Sequence, residues 1–429
     1  MSAINRQSGS DKFFMALIVQ KYGGSSVGNL DRIHHVADKV IKAREQGHDV
    51  VVVVSAMYGE TDRLIQLANA LTQQHDPREY DVLISCGEQV SMALLSMALN
   101  ARKYPARSFT GPQVGIRTDS VHTKARILEV KTDIIHRELQ RGHIVVVAGF
   151  QGVNEHGDIT TLGRGGSDTT AVAIAAAIKA DECQIYTDVD GVYTTDPHLI
   201  AEARLLPQIS FEEMLEMASL GAKVLQMRSV ELASKHNMPI RVLSTFSDGA
   251  GTLVTFEDKI MHKRLVSGIA FSRDEAIISL SGVPCLAGIE GRILSKISEA
   301  HIEIDMIAQN VSTQSKGDFT FTVHRREFPK ALKIVEDMAH ELGEITIKTN
   351  AKVAKLSLVG IGMRSQTGVA STMFTALGNA GIAIQMITTS EIKISVIVDE
   401  TLLEPGVRAI HQAFELDKLP KPTEQTFIE

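Results

Sequence analysis

A repeat in the last third of the chain restricts the fold more than any other feature. Laid against Met373 to Ile387, the segment Ile293 to Ile307 keeps its apolar pattern at a constant offset of 80 residues, without a gap. The matched positions are Ile293/Met373, Leu294/Phe374, Ile297/Leu377, Ala300/Ala380, Ile302/Ile382, Ile304/Ile384, Met306/Met386 and Ile307/Ile387. Two unrelated amphipathic helices would not hold one register from helical spacing into strand spacing. Each copy reads as strand, glycine loop, helix and strand. A return strand follows (Phe319 to Val323, Ile394 to Val398), then a second helix (Pro329 to Leu342, Gly406 to Phe414). The pattern predicts a duplicated β-α-β-β-α-β module of roughly 70 to 80 residues, starting near Leu265.

Upstream the pattern is different, with apolar strands alternating with helices. Ala16 to Gln20 is a strand, Lys21-Tyr22-Gly23-Gly24-Ser25-Ser26 a turn, and Leu30 to Arg44 a helix ended by Gly47. Asp49 to Val54 is a continuous apolar run of the kind buried parallel strands show. The lysine precedes its glycines, whereas a Walker A loop places it after them, and no GxGxxG follows a strand. Ser55-Ala56-Met57 closes the second strand, Thr61 and Asp62 fall in the next loop, and a helix runs from Arg63 to Leu71. Polar groups just past a strand's C-terminal end are where open α/β sheets bind ligands. Asp81 to Asn100 is a helix or helix pair interrupted at Cys86-Gly87-Glu88-Gln89; Glu88 is either a functional carboxylate or a surface residue beside a kink. Lys131 to Arg141 is a helix, and Ile144 to Ala148 is another buried strand, leading to Gly149-Phe150-Gln151-Gly152.

Thr160 to Ala177, TTLGRGGSDTTAVAIAAA, passes without a break from a glycine-dense turn into a helix of small apolar residues. Ser167 and Asp168 stand where an N-cap would, and a helix start with Arg164 beside it attracts anions. An ordinary glycine turn before a core helix fits the same letters. Cys183 to Thr187 is a strand that ends in Asp188-Val189-Asp190-Gly191, a ligand loop or a plain Asp-Gly turn. Helices follow at Phe211 to Leu220 and Val224 to His236, separated by Gly221-Ala222-Lys223, then strands at Pro239 to Leu243 and Gly251 to Val254.

A chain of 429 residues calls for two or three domains, and 44% hydrophobic with 22% charged residues describes a globular protein. A net charge of −7 without a Lys/Arg-dense tract argues against nucleic acid as partner. No apolar run approaches the ~20 residues of a membrane span. The N-terminal MSAINRQSGSDKFF lacks the pattern of a secretory signal, and Met15 offers an alternative start. Cys86, Cys183 and Cys285 form no CxxC pair, which suggests a reducing, cytoplasmic setting, and no zinc site is apparent.

Lys21, Arg164 and Lys223 as cations, Glu88, Asp168 and Asp188 as carboxylates, and N–H-rich loops after parallel strands suit phosphoryl transfer. That chemistry needs positioning and charge neutralisation more than a strong base. KYGGSSV, SAM with a following threonine, a GE pair, AGFQG, TTLGRGGSDTTA, YTDVDGVYTTDP, SFEEMLEMASLGAKVL, QNVS and TTSEIKISV together resemble the aspartokinase family, from Met15 onward.

The resemblance implies an amino acid kinase fold (mainly parallel sheet, helices on both faces; residues 15–260) and two ferredoxin-like ACT domains (265–345 and 350–425). It implies transfer of the γ-phosphoryl group of ATP to L-aspartate, with Mg²⁺ on the nucleotide, as the first step toward lysine, threonine and methionine. On family positions, Lys21, Arg164, Asp168 and Lys223 are catalytic. Lys21, Tyr22, Gly23, Gly24, Ser55, Ser167, Thr187, Asp188, Tyr193, Thr194, Asp196 and Lys223 surround ATP. Thr61, Glu88, Arg164, Gly165, Gly166 and Ser167 hold the substrate. Gln309, Asn310, Val311, Ser312, Thr388, Thr389, Ser390 and Glu391 match the region that takes a feedback amino acid, lysine or threonine. Pairing of ACT domains implies a dimer or higher oligomer. The sequence departs from the family at Gly282 to Gly288, where a D-x-P-G loop is common, and at Gln366-Thr367-Gly368, where a proline is frequent. Other readings are a kinase for glutamate, acetylglutamate or a nucleotide monophosphate, and a non-catalytic amino-acid sensor.

Overall fold

The computed structural model describes residues 16–220, 224–260, 265–284, 286–311, 316–342, 345–364 and 366–419, so Met15, Lys223, Cys285 and Ser312 lie outside it. They form two compact units. The first comprises the described residues of Met1–Val192, Leu205–Phe211 and Lys223–Ile260; the second, those of Tyr193–Arg204, Glu212–Ala222 and Met261–Glu429.

The first unit begins β1 (Leu17–Tyr22), α1 (Leu30–Glu45), β2 (Asp49–Val54), α2 (Glu60–Leu71), α3 (Pro77–Ile84) and α4 (Cys86–Ala101). It continues β3 (Ala106–Phe109), β4 (Ile116–Thr118), β5 (Ile127–Val130), α5 (Asp133–Gln140), β6 (Ile144–Ala148), β7 (Gln151–Val153) and β8 (Ile159–Thr161). Then come α6 (Gly166–Ile178), β9 (Glu182–Thr187), β10 (Gln208–Ser210), α7 (Phe211–Ser219, which passes into the second unit), α8 (Met227–Lys235), β11 (Ile240–Ser244) and β12 (Thr252–Thr255). Eight strands form the main sheet in the order β10-β12-β11-β9-β1-β2-β6-β3, parallel except where β12 runs antiparallel to β11. Val50 to Val54 are all buried, as are all five residues of β6. At about 2 kcal/mol per buried valine, β2 alone contributes on the order of 10 kcal/mol of gross burial.

Several expectations shift. β1 extends through Lys21 and Tyr22, because both pair in parallel with β2 and β9. Thr61 and Asp62 stand in the first turn of α2, not in a loop. The break between α3 and α4 falls at Ser85, and Cys86-Gly87-Glu88 belong to the first turn of α4. Gly87 is needed there for close approach: a Cβ would lie 2.8 Å from that of Ala56. The N-cap of α6 is Gly165, at φ 72°, so Ser167 and Asp168 stand within its first turn. A second sheet has four strands in the order β5-β4-β7-β8.

The second unit holds β13 (Gly268–Pro284), α9 (Ile289–Glu299), β14 (Ile304–Val311), β15 (Lys316–His324), α10 (Phe328–Leu342), β16 (Thr346–Val359), α11 (Val369–Asn379), β17 (Met386–Thr389), β18 (Lys393–Asp399) and α12 (Leu403–Ala413). Its six-stranded sheet has the order β14-β15-β13-β16-β18-β17. The repeat is present, but the two modules are interlocked rather than consecutive. Glu275 to Pro284 of β13 pair with β15, while Gly268 to Ser272 pair with the Lys355 to Val359 end of β16. The second module therefore takes its fourth strand from ahead of the first. A strand 17 residues long is able to serve both modules, and local periodicity does not reveal it.

Each module has its own core. Ala276, Ile278 and Leu280 pack with Ile293, Ile297 and Val335; Ala354, Leu356 and Leu358 pack with Met373, Leu377 and Ile410. Two ion pairs lie where the modules meet. Lys355, 4% exposed, pairs with Asp305 and lies 3.8 Å from Glu275. Arg325 and Glu400, the first residues of the equivalent short turns after β15 and β18, meet at 3.2 Å.

Candidate active site

The C-terminal ends of β1 and β2 and the start of α6 enclose a cleft of about 380 Å³. It is lined by Lys21, Gly23, Gly24, Ser55, Thr61, Glu88, Arg164, Gly165, Gly166, Ser167 and Asp168, all expected, together with Gln226 and Phe150, which the sequence did not mark. Gln226 carries no local signal, being only the residue ahead of α8, whereas Phe150 sits in the AGFQG segment after a strand, to which the sequence attached no site role.

Lys21 is the penultimate residue of a strand paired on both sides, and its ammonium lies 2.6 Å from the Asp168 carboxylate. Both side chains are nearly buried, so each charge holds the other where water cannot screen it. Asp168 comes from the first turn of α6, whose N-terminus has no side-chain cap. The free N–H groups and the positive end of that helix favour an anion beside Lys21.

Glu88 is no surface residue. It is 4% exposed, its Oε1 accepts the Ala56 N–H at 3.1 Å, and Oε2 has no hydrogen-bond partner. Burial pushes its carboxyl up to about 7, against a lowering pull from the backbone N–H groups of Glu88 and Ala56. An ammonium brought to Oε2 would favour the ionised form. Arg164 is exposed on the turn between β8 and α6.

Tyr22 behaves differently from the other loop residues. Its ring is fully buried in the core and stacked 4.6 Å from Tyr186, so only its backbone can face a ligand. Thr187 and Asp188 close β9, joined by a 3.0 Å hydrogen bond. Tyr193, Thr194 and Asp196 belong to the second unit, where Thr194 is buried against His411 of α12 (Oγ1 to Nε2, 3.1 Å) and the Asp196 carboxylate accepts the His198 N–H. Lys223 lies outside the described residues. Of the effector positions, Gln309 and Asn310 fall in the last residues of β14 and Thr388 and Thr389 end β17, while Ser390 and Glu391 form the following turn. Val311 continues β14, and Ser312 is not among the described residues. Gln309 donates to Glu290 in the first turn of α9 at 2.6 Å.

Among the described residues no group of three histidine, cysteine or acidic side chains could hold a metal. The stretch Pro77–Ala101 is long and apolar enough to cross a membrane by composition, yet 56% of its apolar window is buried inside the protein.

Lys21 paired with Asp168 at the start of α6, with Glu88 and Arg164 lining the same cleft, suits a phosphotransferase for a small charged acceptor. The pattern of the amino acid kinase family matches residues 16–244, and that of the ACT domain residues 356–414. An aspartate kinase of Pseudomonas putida is 60% identical over 404 residues, covering 94% of this chain and 98% of that protein. E. coli aspartokinase III in complex with aspartate and ADP (R-state) superposes with a TM-score of 0.76 at 25% identity, over 92% of this chain and 99% of that one. The same enzyme in complex with lysine and aspartate (T-state) gives 0.75 at 25%, over 93% and 99%. The chain belongs to the aspartate kinases.

Proposed function

We propose that the cleft transfers the γ-phosphoryl group of ATP to the side-chain carboxylate of L-aspartate, giving 4-phospho-L-aspartate and ADP. A carboxylate oxygen of aspartate attacks the γ-phosphorus as the bond to the β,γ-bridging oxygen breaks, and ADP leaves with that electron pair. The observation that carries this reading is the convergence of Lys21, the N-terminus of α6, Glu88 and Arg164 on one cleft. Lys21 and the N–H groups of α6, with Gly23, Gly24, Ser55 and Ser167, neutralise the transferred group, and Asp168 holds Lys21 in place. Arg164 grips the α-carboxylate with its planar fork, Glu88 takes the α-ammonium, and Thr61, Gly165 and Gly166 shape the space between. Thr187 and Asp188 stand beside the nucleoside, and Lys223 is a second phosphate lysine. Mg²⁺ bound to the nucleotide phosphates, mainly through water, would neutralise further charge. The kinase domain lies within 15–260 and the two ACT modules within 265–425, interlocked through β13; the enzyme is cytoplasmic and at least dimeric through the ACT domains.

Incubation with ATP, Mg²⁺, aspartate and hydroxylamine should yield the acyl hydroxamate. Arg164→Ala should raise KM for aspartate roughly 30-fold, from about 2 kcal/mol for a charge-assisted pair. Absence of product from the wild type, or equal turnover of glutamate, would refute this assignment.

Feedback by lysine or threonine is the second part of the proposal. It rests on the matched ends of β14 and β17, where Gln309 and Thr389 occupy equivalent positions. Gln309→Ala or Thr389→Ala should raise the effector concentration for half-inhibition about tenfold, the loss expected from one ligand hydrogen bond to a charged group. The uninhibited rate should stay within twofold of wild type (roughly the scatter of a neutral change). Parallel loss of rate and inhibition would count against an effector role.

A further inference from the structure

α3 carries a carboxylate that no step of the proposed reaction touches. Asp81 has no exposed surface. The Thr161 N–H donates to its Oδ2 at 3.1 Å and the Thr161 hydroxyl to Oδ1 at 2.5 Å. The Thr123 N–H is shared between Oδ1 and Oδ2 at 3.1 and 3.0 Å, and His122 Nδ1 lies 2.8 Å from Oδ2. A buried carboxylate matched by this many donors fixes them as firmly as they fix it.

What it fixes is the turn that carries Arg164. Thr161 is the last residue of β8, three positions ahead of that arginine. Thr123 is held at φ 66°, a conformation unusual for a side chain branched at Cβ, and its carbonyl lies where a Cβ on Gly163 would come within 3.0 Å. The Ala125 N–H donates to the Thr161 carbonyl at 2.9 Å, tying the two segments together. Two supports of the turn Leu162 to Gly165 therefore hang from one side chain on a different helix; Leu162 is held besides by its N–H to the Phe150 carbonyl and by Arg228 donating to its own carbonyl.

We propose that Asp81 is a positioning residue for Arg164, setting the turn from which the guanidinium reaches the acceptor's carboxylate. The inference rests on the reading of Arg164 as the substrate clamp. It implies that Asp81 governs recognition of the acceptor and not of the nucleotide.

The test uses the full-length protein and steady-state kinetics with each substrate varied. Asp81→Asn keeps the size but turns one oxygen into an amide that faces an N–H donor to donor. It should raise KM for aspartate about tenfold, since misplacing a binding group by less than an ångström has effects of this order. KM for ATP should stay within about twofold, and the change should have little further effect in an Arg164→Ala background. Thr161→Val removes only the hydroxyl bond and should act in the same direction, by about threefold. It decides the matter alone if Asp81→Asn does not fold. Equal increases in both KM values, a lowered melting temperature with both KM values unchanged, or full additivity with Arg164→Ala would overturn the proposal and leave Asp81 a structural residue. If Arg164→Ala itself leaves KM for aspartate unchanged, the clamp reading fails and the Asp81 proposal with it. If only the Asp81 and Thr161 variants are silent, the clamp stands and the positioning role falls.

Discussion

Replacing Lys21 with methionine should lower kcat about a thousandfold, equivalent to about 4 kcal/mol of lost transition-state stabilisation. Methionine keeps the reach and apolar stem, so the loss isolates the charge. KM for ATP should change far less than kcat, because the helix N-terminus and the glycine loop still face the phosphates. The same change leaves Asp168, 7% exposed, without its partner at 2.6 Å, and breaking such a pair costs about 3–5 kcal/mol of stability. The double variant Lys21→Met/Asp168→Asn should therefore recover the melting temperature of the wild type and remain inactive. A single variant that retains a tenth of the wild-type kcat would show that Lys21 does not face the transferred group.

In the second unit the largest effect is expected at Lys355. Lys355→Met removes the cation that lies between Asp305 and the buried Glu275, leaving an uncompensated carboxylate. The expected loss is about 3–5 kcal/mol, read as a lower denaturation midpoint. Asp305 is 41% exposed in its side chain and turns to water; Glu275, at 8%, has no such relief. Burial already raises the Glu275 carboxyl above its usual range, and Lys355 is the main influence opposing that rise. Without Lys355 the carboxyl takes up a proton more readily, so the penalty should shrink as pH falls. Lys355→Met/Glu275→Leu removes both charges and should recover most of the loss. A double variant no more stable than Lys355→Met would show that packing, not charge, sets the cost.

The parts of the fold that were legible in the sequence are those encoded locally. β2 and β6 announce themselves as unbroken apolar runs because both faces of each are covered. The repeat is visible because equivalent residues keep one offset. Lys21, Arg164 and Asp168 are legible through their glycine-rich surroundings, since close approach to a ligand constrains several neighbours at once. Other features depend on distant pairing. Nothing within Ile127–Val130, Gln151–Val153 or Ile159–Thr161 distinguishes such short strands from loops. The two ambiguous letters at Gly87 and Glu88 are explained only by what lies across from them, the Ala56 methyl and N–H. Asp81 is silent because its partners lie 41 and 80 residues away. The shared strand β13 is hidden because pairing changes partner halfway along while its residues do not.

The meeting of Arg325 with Glu400 has a consequence for the history of the duplicated half. The two residues occupy corresponding places, yet one is cationic and the other anionic. Were either repeat to dock on an identical copy of itself, guanidinium would oppose guanidinium, or carboxylate would oppose carboxylate. The halves have thus ceased to be interchangeable, and each recognises its sibling as a different molecule.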